Sequence, residues 1–266
     1  YVFDGKIKQI LIYDRNGKYL RSIGDPNEFA RPAGIAVTPD GSRIYAVDIG
    51  GSSSNEHKVL VFDAQSGKHL FDIGKRGTEK GEFNLPRDAV IAPDGSLYIV
   101  DSGNFRVEKF TADGKFLSTF GAIGRQPGQF SRPKEAAGDP EGNIYVVDSS
   151  FGNFQIFNPQ GQLLLAIGSR SNDDGPAKFS LPASIAVDED GRVYVTDQFF
   201  RKIDVFRPAG LSEEDGFIGT KVLGTNKLNT PSTPVTPVTP VTPVTPVTPV
   251  TPVTPVEPDD PTNPGK

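Results

Sequence analysis

The sequence predicts an all-β fold made of a repeated four-stranded unit and followed by an extended tail. Three observations carry that prediction. A Tyr-x-x-Asp strand recurs along the chain, an acidic-Gly turn stands before each of its four later copies, and proline concentrates after Asn229.

The repeat can be followed element by element. Four stretches open on a basic or Leu residue plus Pro: Arg31-Pro32, Leu85-Pro86, Arg132-Pro133 and Leu181-Pro182. An apolar strand comes next, as in Gly34-Ile35-Ala36-Val37 and Ser184-Ile185-Ala186-Val187. The turns at Asp40-Gly41, Asp94-Gly95, Glu141-Gly142 and Asp190-Gly191 are hairpin signals, because Gly supplies the positive φ that a tight turn demands. The second strand runs Tyr45 to Asp48, Tyr98 to Asp101, Tyr145 to Asp148 and Tyr194 to Asp197, with Tyr1 to Asp4 as a fifth copy. A third strand follows at Ile10 to Tyr13, Val59 to Phe62, Val107 to Phe110, Phe154 to Phe157 and Ile203 to Phe206. The fourth ends on an apolar residue plus Gly: Ile23-Gly24, Ile73-Gly74, Phe120-Gly121, Ile167-Gly168 and, more loosely, Leu223-Gly224. Four strands per unit at a period near 50 residues is the blade of a β-propeller. One blade cannot bury both faces of its twisted sheet, so the strand Tyr and Phe residues are assigned to packing between blades. The repeated Asp is assigned to stabilising the turn after the second strand.

Gly81-Glu82-Phe83-Asn84-Leu85-Pro86 and Gly128-Gln129-Phe130-Ser131-Arg132-Pro133, with the Asp-Gly turns and Asp101-Ser102-Gly103-Asn104-Phe105-Arg106-Val107, resemble the NHL repeat family over roughly residues 1–224. The resemblance implies an NHL-type propeller. It also implies an interaction platform: an extracellular scaffold in bacteria or an RNA- or protein-binding module in eukaryotes, and an enzyme in only a few relatives. The family commonly has six blades, whereas this chain has four full units and a leading one without its first strand. About five blades are therefore visible, and six are expected in the complete protein. An N-terminal portion removed or missing, a five-bladed ring, and a strand supplied by a partner are the ways to close it, the first being favoured.

Composition narrows the function. The chain has no Cys, Met or Trp, which excludes disulfides, thiolate nucleophiles and cysteine metal sites. A net charge of −5 gives no general attraction to nucleic acid or anionic membrane. No apolar run is long enough to span a bilayer. His57 and His69 stand alone, without metal-ligand spacing, and are read as surface residues. No catalytic residue, metal site or cofactor is expected.

A propeller collects its fourth-to-first and second-to-third connections on one face and its hairpins on the other. Sorted this way, the hairpin face is acidic, with Asp40, Asp94, Asp113, Asp139, Glu141 and Asp188 to Asp190. The opposite face is basic on balance and carries loop aromatics. Phe105, Arg106, Arg125, Arg132, Phe151, Phe199, Phe200 and Arg201 are the candidate partner-binding residues, since Arg with aromatics is the composition of binding hot spots.

Residues 225–266 form the second region. Thr233 to Val256 is Thr-Pro-Val repeated eight times. Proline at every third position forbids helix and sheet ladder and favours polyproline II. Its 24 residues would reach roughly 75 Å. A three-residue turn sets Thr on one ridge and Val on another. Thr233, Thr236, Thr239 and Thr242 are candidate O-glycosylation positions, and Val235, Val238, Val241 and Val244 candidate contacts with a neighbouring subunit. The resulting expectation is a secreted or cell-surface, bacterial-type, non-catalytic scaffold with a protein partner or self-assembly into a surface or filament structure. The alternatives are a metal-dependent lactonase- or lyase-like propeller enzyme and an RNA-binding module.

Overall fold

The computed structural model describes residues 1–210 apart from Ser52 and Ser53. The fourth strand expected near Leu223-Gly224 and the whole tail region, including the candidate positions Thr233 to Val244, lie outside the described residues.

The described residues are all-β and form the blades of a β-propeller, as the repeat predicts. Blade 1 has three strands, β1 (Val2–Asp4), β2 (Gln9–Tyr13) and β3 (Tyr19–Ile23). Blade 2 is β4 (Pro32–Val37), β5 (Arg43–Asp48), β6 (Lys58–Asp63) and β7 (His69–Ile73). Blade 3 is β8 (Pro86–Ile91), β9 (Leu97–Asp101), β10 (Arg106–Phe110) and β11 (Phe116–Phe120), with a short 3₁₀ turn at Ser102–Asn104. Blade 4 is β12 (Pro133–Gly138), β13 (Ile144–Asp148), β14 (Asn153–Phe157) and β15 (Leu163–Ile167). After a two-residue parallel pair, β16 (Ser169–Arg170) and β17 (Lys178–Phe179), blade 5 contributes β18 (Pro182–Val187), β19 (Val193–Asp197) and β20 (Lys202–Phe206). Within each blade the strands are antiparallel and adjacent in chain order.

Strand alternation gives every blade two apolar faces. In blade 2, Ile44, Ala46, Leu60 and Phe62 pack toward blade 1 against Ile10, Ile12 and Ile23. Their neighbours Tyr45, Val47, Val59 and Val61 turn the other way, onto Ala89, Leu97, Ile99 and Phe110 of blade 3. The same arrangement joins blade 3 to blade 4 and blade 4 to blade 5. On the far face of blade 1, Val2 and Tyr13 hold the positions that Ala46 and Phe62 hold in blade 2, yet they are exposed. Ile203, the blade 5 counterpart of buried Val59, is exposed as well.

The connection between blades explains the Phe-x-x-Pro signature. After each fourth strand the chain turns through a Gly and folds back, so that Arg76 bridges Phe83, Ile123 bridges Phe130 and Arg170 pairs with Phe179, all in parallel. One edge of the Phe ring then lies against the Gly that ended the strand. A Cβ on Gly74, Gly121 or Gly168 would come within 2.3, 2.4 or 2.8 Å of Phe83, Phe130 or Phe179, and Gly24 stands in the same relation to Phe29 at 2.6 Å. These glycines also have φ between +76° and +96°, so the position is closed to other residues twice over.

Candidate functional site

The repeated Asp is spent inside the fold. Asp48, Asp101, Asp148 and Asp197 are buried. Asp148 accepts backbone N–H groups of Ser131 and Arg132 on one oxygen, at 2.7 and 2.9 Å, and of Ser150 and Phe151 on the other, at 2.9 and 3.0 Å. Asp197 does the same for Ser180, Leu181, Phe199 and Phe200. Asp48 accepts from Ala30, Arg31 and Gly50. The carboxylate therefore holds the turn after the second strand, as the sequence implies, and also fastens that turn to the segment that opens the blade.

Blade 3 departs from this pattern. Asp101 accepts the N–H of Asn84 but not that of Leu85, and instead takes Asn104 Nδ2 and Arg106 Nε. Leu85 has φ +53°, and its N–H donates to Nδ1 of His57, which reaches across from the long loop of blade 2. His57 is fully buried, contrary to its reading as a surface residue, because an insertion in that loop carries the ring into the junction between blades. Burial, followed by the nearby Arg76, lowers its pKa and keeps it neutral. Asp101, with a single backbone donor, is pushed by burial up to about 6. Asp139 is likewise buried rather than part of the acidic surface, since it accepts from Asn143 and from Tyr145 Oη.

The candidate binding residues divide into two sets. Arg106 is committed to its own chain: it donates to Asp101 and to the carbonyls of Thr78, Glu79 and Glu82, and lies 3.3 Å from Glu108 Oε1. Lys202, its blade 5 counterpart, is bound in the same manner to Gly175 O, Asp174 and Asp204. Phe105 is half-buried against the core between blades 3 and 4, and Phe151 and Phe200 are half-buried too. Arg125, Arg132, Phe199 and Arg201 are exposed, Phe199 to 64%. No ion pair engages the three arginine side chains among the described residues.

Three cations that the sequence shortlist left out join Arg132. They flank the opening Pro, with Arg31 and Arg132 directly before it and Arg87 and Lys134 directly after it. The blade-opening strands run side by side: a Cβ on Gly34 of β4 would meet Arg87 O at 2.8 Å, and Ala136 N of β12 donates to Asp88 Oδ2 of β8 at 3.0 Å. Burial and then the charges of Arg31 and Arg132 lower the pKa of Arg87. Lys134 is lowered by burial, then by Arg132 and Arg87. The signal in the sequence was the register against proline, legible only once the opening strands are known to converge.

Among the described residues no group of three or more His, Asp or Glu side chains is arranged to hold a metal ion. No helix among them is long and apolar enough to cross a membrane.

Blades of this construction, with side chains of neighbouring sheets interleaved and a buried Asp fastening each opening, define a β-propeller. Residues 83–110 match the pattern of the NHL repeat. Human and mouse NHL repeat-containing protein 3 are each 32% identical over 89 residues, which is 34% of this chain and 24% of the relative. The aligned part thus spans about a quarter of those relatives. Among solved structures, one of unknown function from Bacteroides thetaiotaomicron has a TM-score of 0.52 at 23% identity, covering 73% of this chain and 48% of that one. Virginiamycin B lyase from Staphylococcus aureus gives 0.52 at 14% identity, covering 76% and 64%. Both likenesses are of fold.

Proposed function

We propose that this chain is a protein-interaction propeller that engages its partner through the face of the between-blade connections. One observation carries the reading: on that face Arg125, Arg132, Phe199 and Arg201 are exposed and unspent, while the Asp positions common to the blades are consumed by backbone amides. A guanidinium beside an exposed aromatic ring is the composition that anchors protein interfaces. The test places a photo-crosslinking residue in turn at Arg125, Phe199 and, on the opposite face, Asp113. Adducts with one partner at the first two positions and none at Asp113 support the reading. Equal labelling at all three overturns it.

The tail extends the proposal. Its Thr-Pro-Val repeat fits a spacer or assembly arm of a secreted or surface-bound scaffold, with Thr open to O-glycosylation and Val to a neighbour. Deleting residues 233–256 should then abolish higher assemblies in size-exclusion chromatography. An unchanged elution profile, apart from the lost mass, removes the assembly role.

A further inference from the structure

We infer that Arg31, Arg87, Arg132 and Lys134 form one anion-binding site, at the mouth where the blade-opening strands converge, that takes a compact cluster of carboxylates on an acidic protein segment. The inference rests on the interaction reading above and names the chemistry of the partner's anchor.

Convergence is fixed by the backbone. Gly34 lies against Arg87 and Asp88, and Asp88 is bonded to Ala136, so β4, β8 and β12 cannot separate at this level. Like charges brought together cost free energy unless an anion relieves them. Here none is paired with them: among the described residues the side chains of the four make no ion pair or hydrogen bond. Elsewhere the fold does neutralise its cations, as with Arg43 on Asp113, Lys58 on Asp72, Lys109 on Asp94 and Lys202 on Asp204. The nearby acids do not cancel the site. Asp197 is occupied by four backbone amides, and half-buried Asp88 accepts the Ala136 N–H, with desolvation raising it to about 7. Glu135 is the one further carboxylate beside Lys134. Forked guanidinium donors suit paired carboxylate oxygens. Four cations at one mouth match a compact acidic segment better than a long polyanion, which would have to track over an acidic protein of net charge −5.

The experiment titrates the full chain with a fluorescent hexaglutamate peptide, following anisotropy at low and moderate salt. Binding is expected to weaken with salt, and to fall by at least roughly tenfold in the Arg87→Ala/Lys134→Ala variant. Arg15→Ala, on a hairpin of the opposite face, should leave it unchanged. Tripolyphosphate and an oligothymidine are run as competitors. No peptide binding, equal loss in Arg15→Ala, or tighter binding of either phosphate compound than of the peptide overturns the site. Crosslinking at Phe199 that persists in the Arg87→Ala/Lys134→Ala variant would leave the interaction reading standing while this site fails.

Discussion

His57 Nδ1 accepts the backbone N–H of Leu85 at 3.1 Å, so a side chain from the loop of one blade holds the opening of the next. The other three openings use only the Asp of their own blade for this purpose. The long loop of blade 2 therefore has a mechanical role that the shorter loops do not.

Replacing His57 by Ala should cost about 1–3 kcal/mol in urea denaturation at pH 7.5, because the Leu85 N–H is left buried without an acceptor. The pH dependence has a definite sign. The folded-state pKa of His57 lies below its ordinary value of 6.5, so the unfolded chain binds the extra proton, and this contribution to stability is lost as pH falls below 6.5. The stability difference between wild type and His57→Ala should thus shrink between pH 7.5 and pH 5.

Asp88 and Glu108 pull the other way. Burial raises each to about 7, and Glu108 Oε2 has no partner. With folded-state values above the unfolded ones, both favour the fold at low pH and lose that contribution as pH rises through 7. Glu108 holds the position of Gln155, whose Nε2 donates to Gln129 O and whose Oε1 accepts from Gly128. Asp88→Asn and Glu108→Gln should therefore each raise the melting temperature at pH 8 by a few degrees, roughly 2–4 °C per kcal/mol. The gain should vanish near pH 4.5.

At Gly121 the added Cβ of Ala would meet the Phe130 ring at a backbone φ of +87°. Gly121→Ala should destabilise by about 2 kcal/mol or more. The cost should be smaller in a Phe130→Leu background, where the ring is gone and only the strained φ remains. A double-mutant cycle by chemical denaturation measures the difference.

Asp148→Asn is not a conservative change, because each carboxylate oxygen accepts two N–H groups. An amide turns one of those oxygens into a donor facing donors. The expected loss is about 3 kcal/mol, the cost of two buried unsatisfied N–H groups, with faster amide exchange at Ser131 and Arg132 or at Ser150 and Phe151.

Strand periodicity and turn chemistry were enough to read the blades, because Tyr-x-x-Asp, Asp-Gly and Phe-x-x-Pro are local patterns whose spacing repeats. The fourfold use of Phe against Gly was legible as a motif, but its reason was not, since the ring and the glycine meet only when the connection folds back. Arg106 looked like a binding residue on composition. The carbonyls of Thr78, Glu79 and Glu82 that consume it lie more than twenty residues earlier in the chain. His57 looked exposed because loops usually are, and nothing local marks an insertion that turns inward.

What the sequence determined by itself is the blade: the hydrophobic alternation, the glycine turns and the buried Asp all act within one repeat. Only the tertiary structure decided which polar groups are spent and which are free. Arg31, Arg87, Arg132 and Lys134 come together because β4, β8 and β12 converge, and such convergence arises between blades, which a repeat read one unit at a time does not contain.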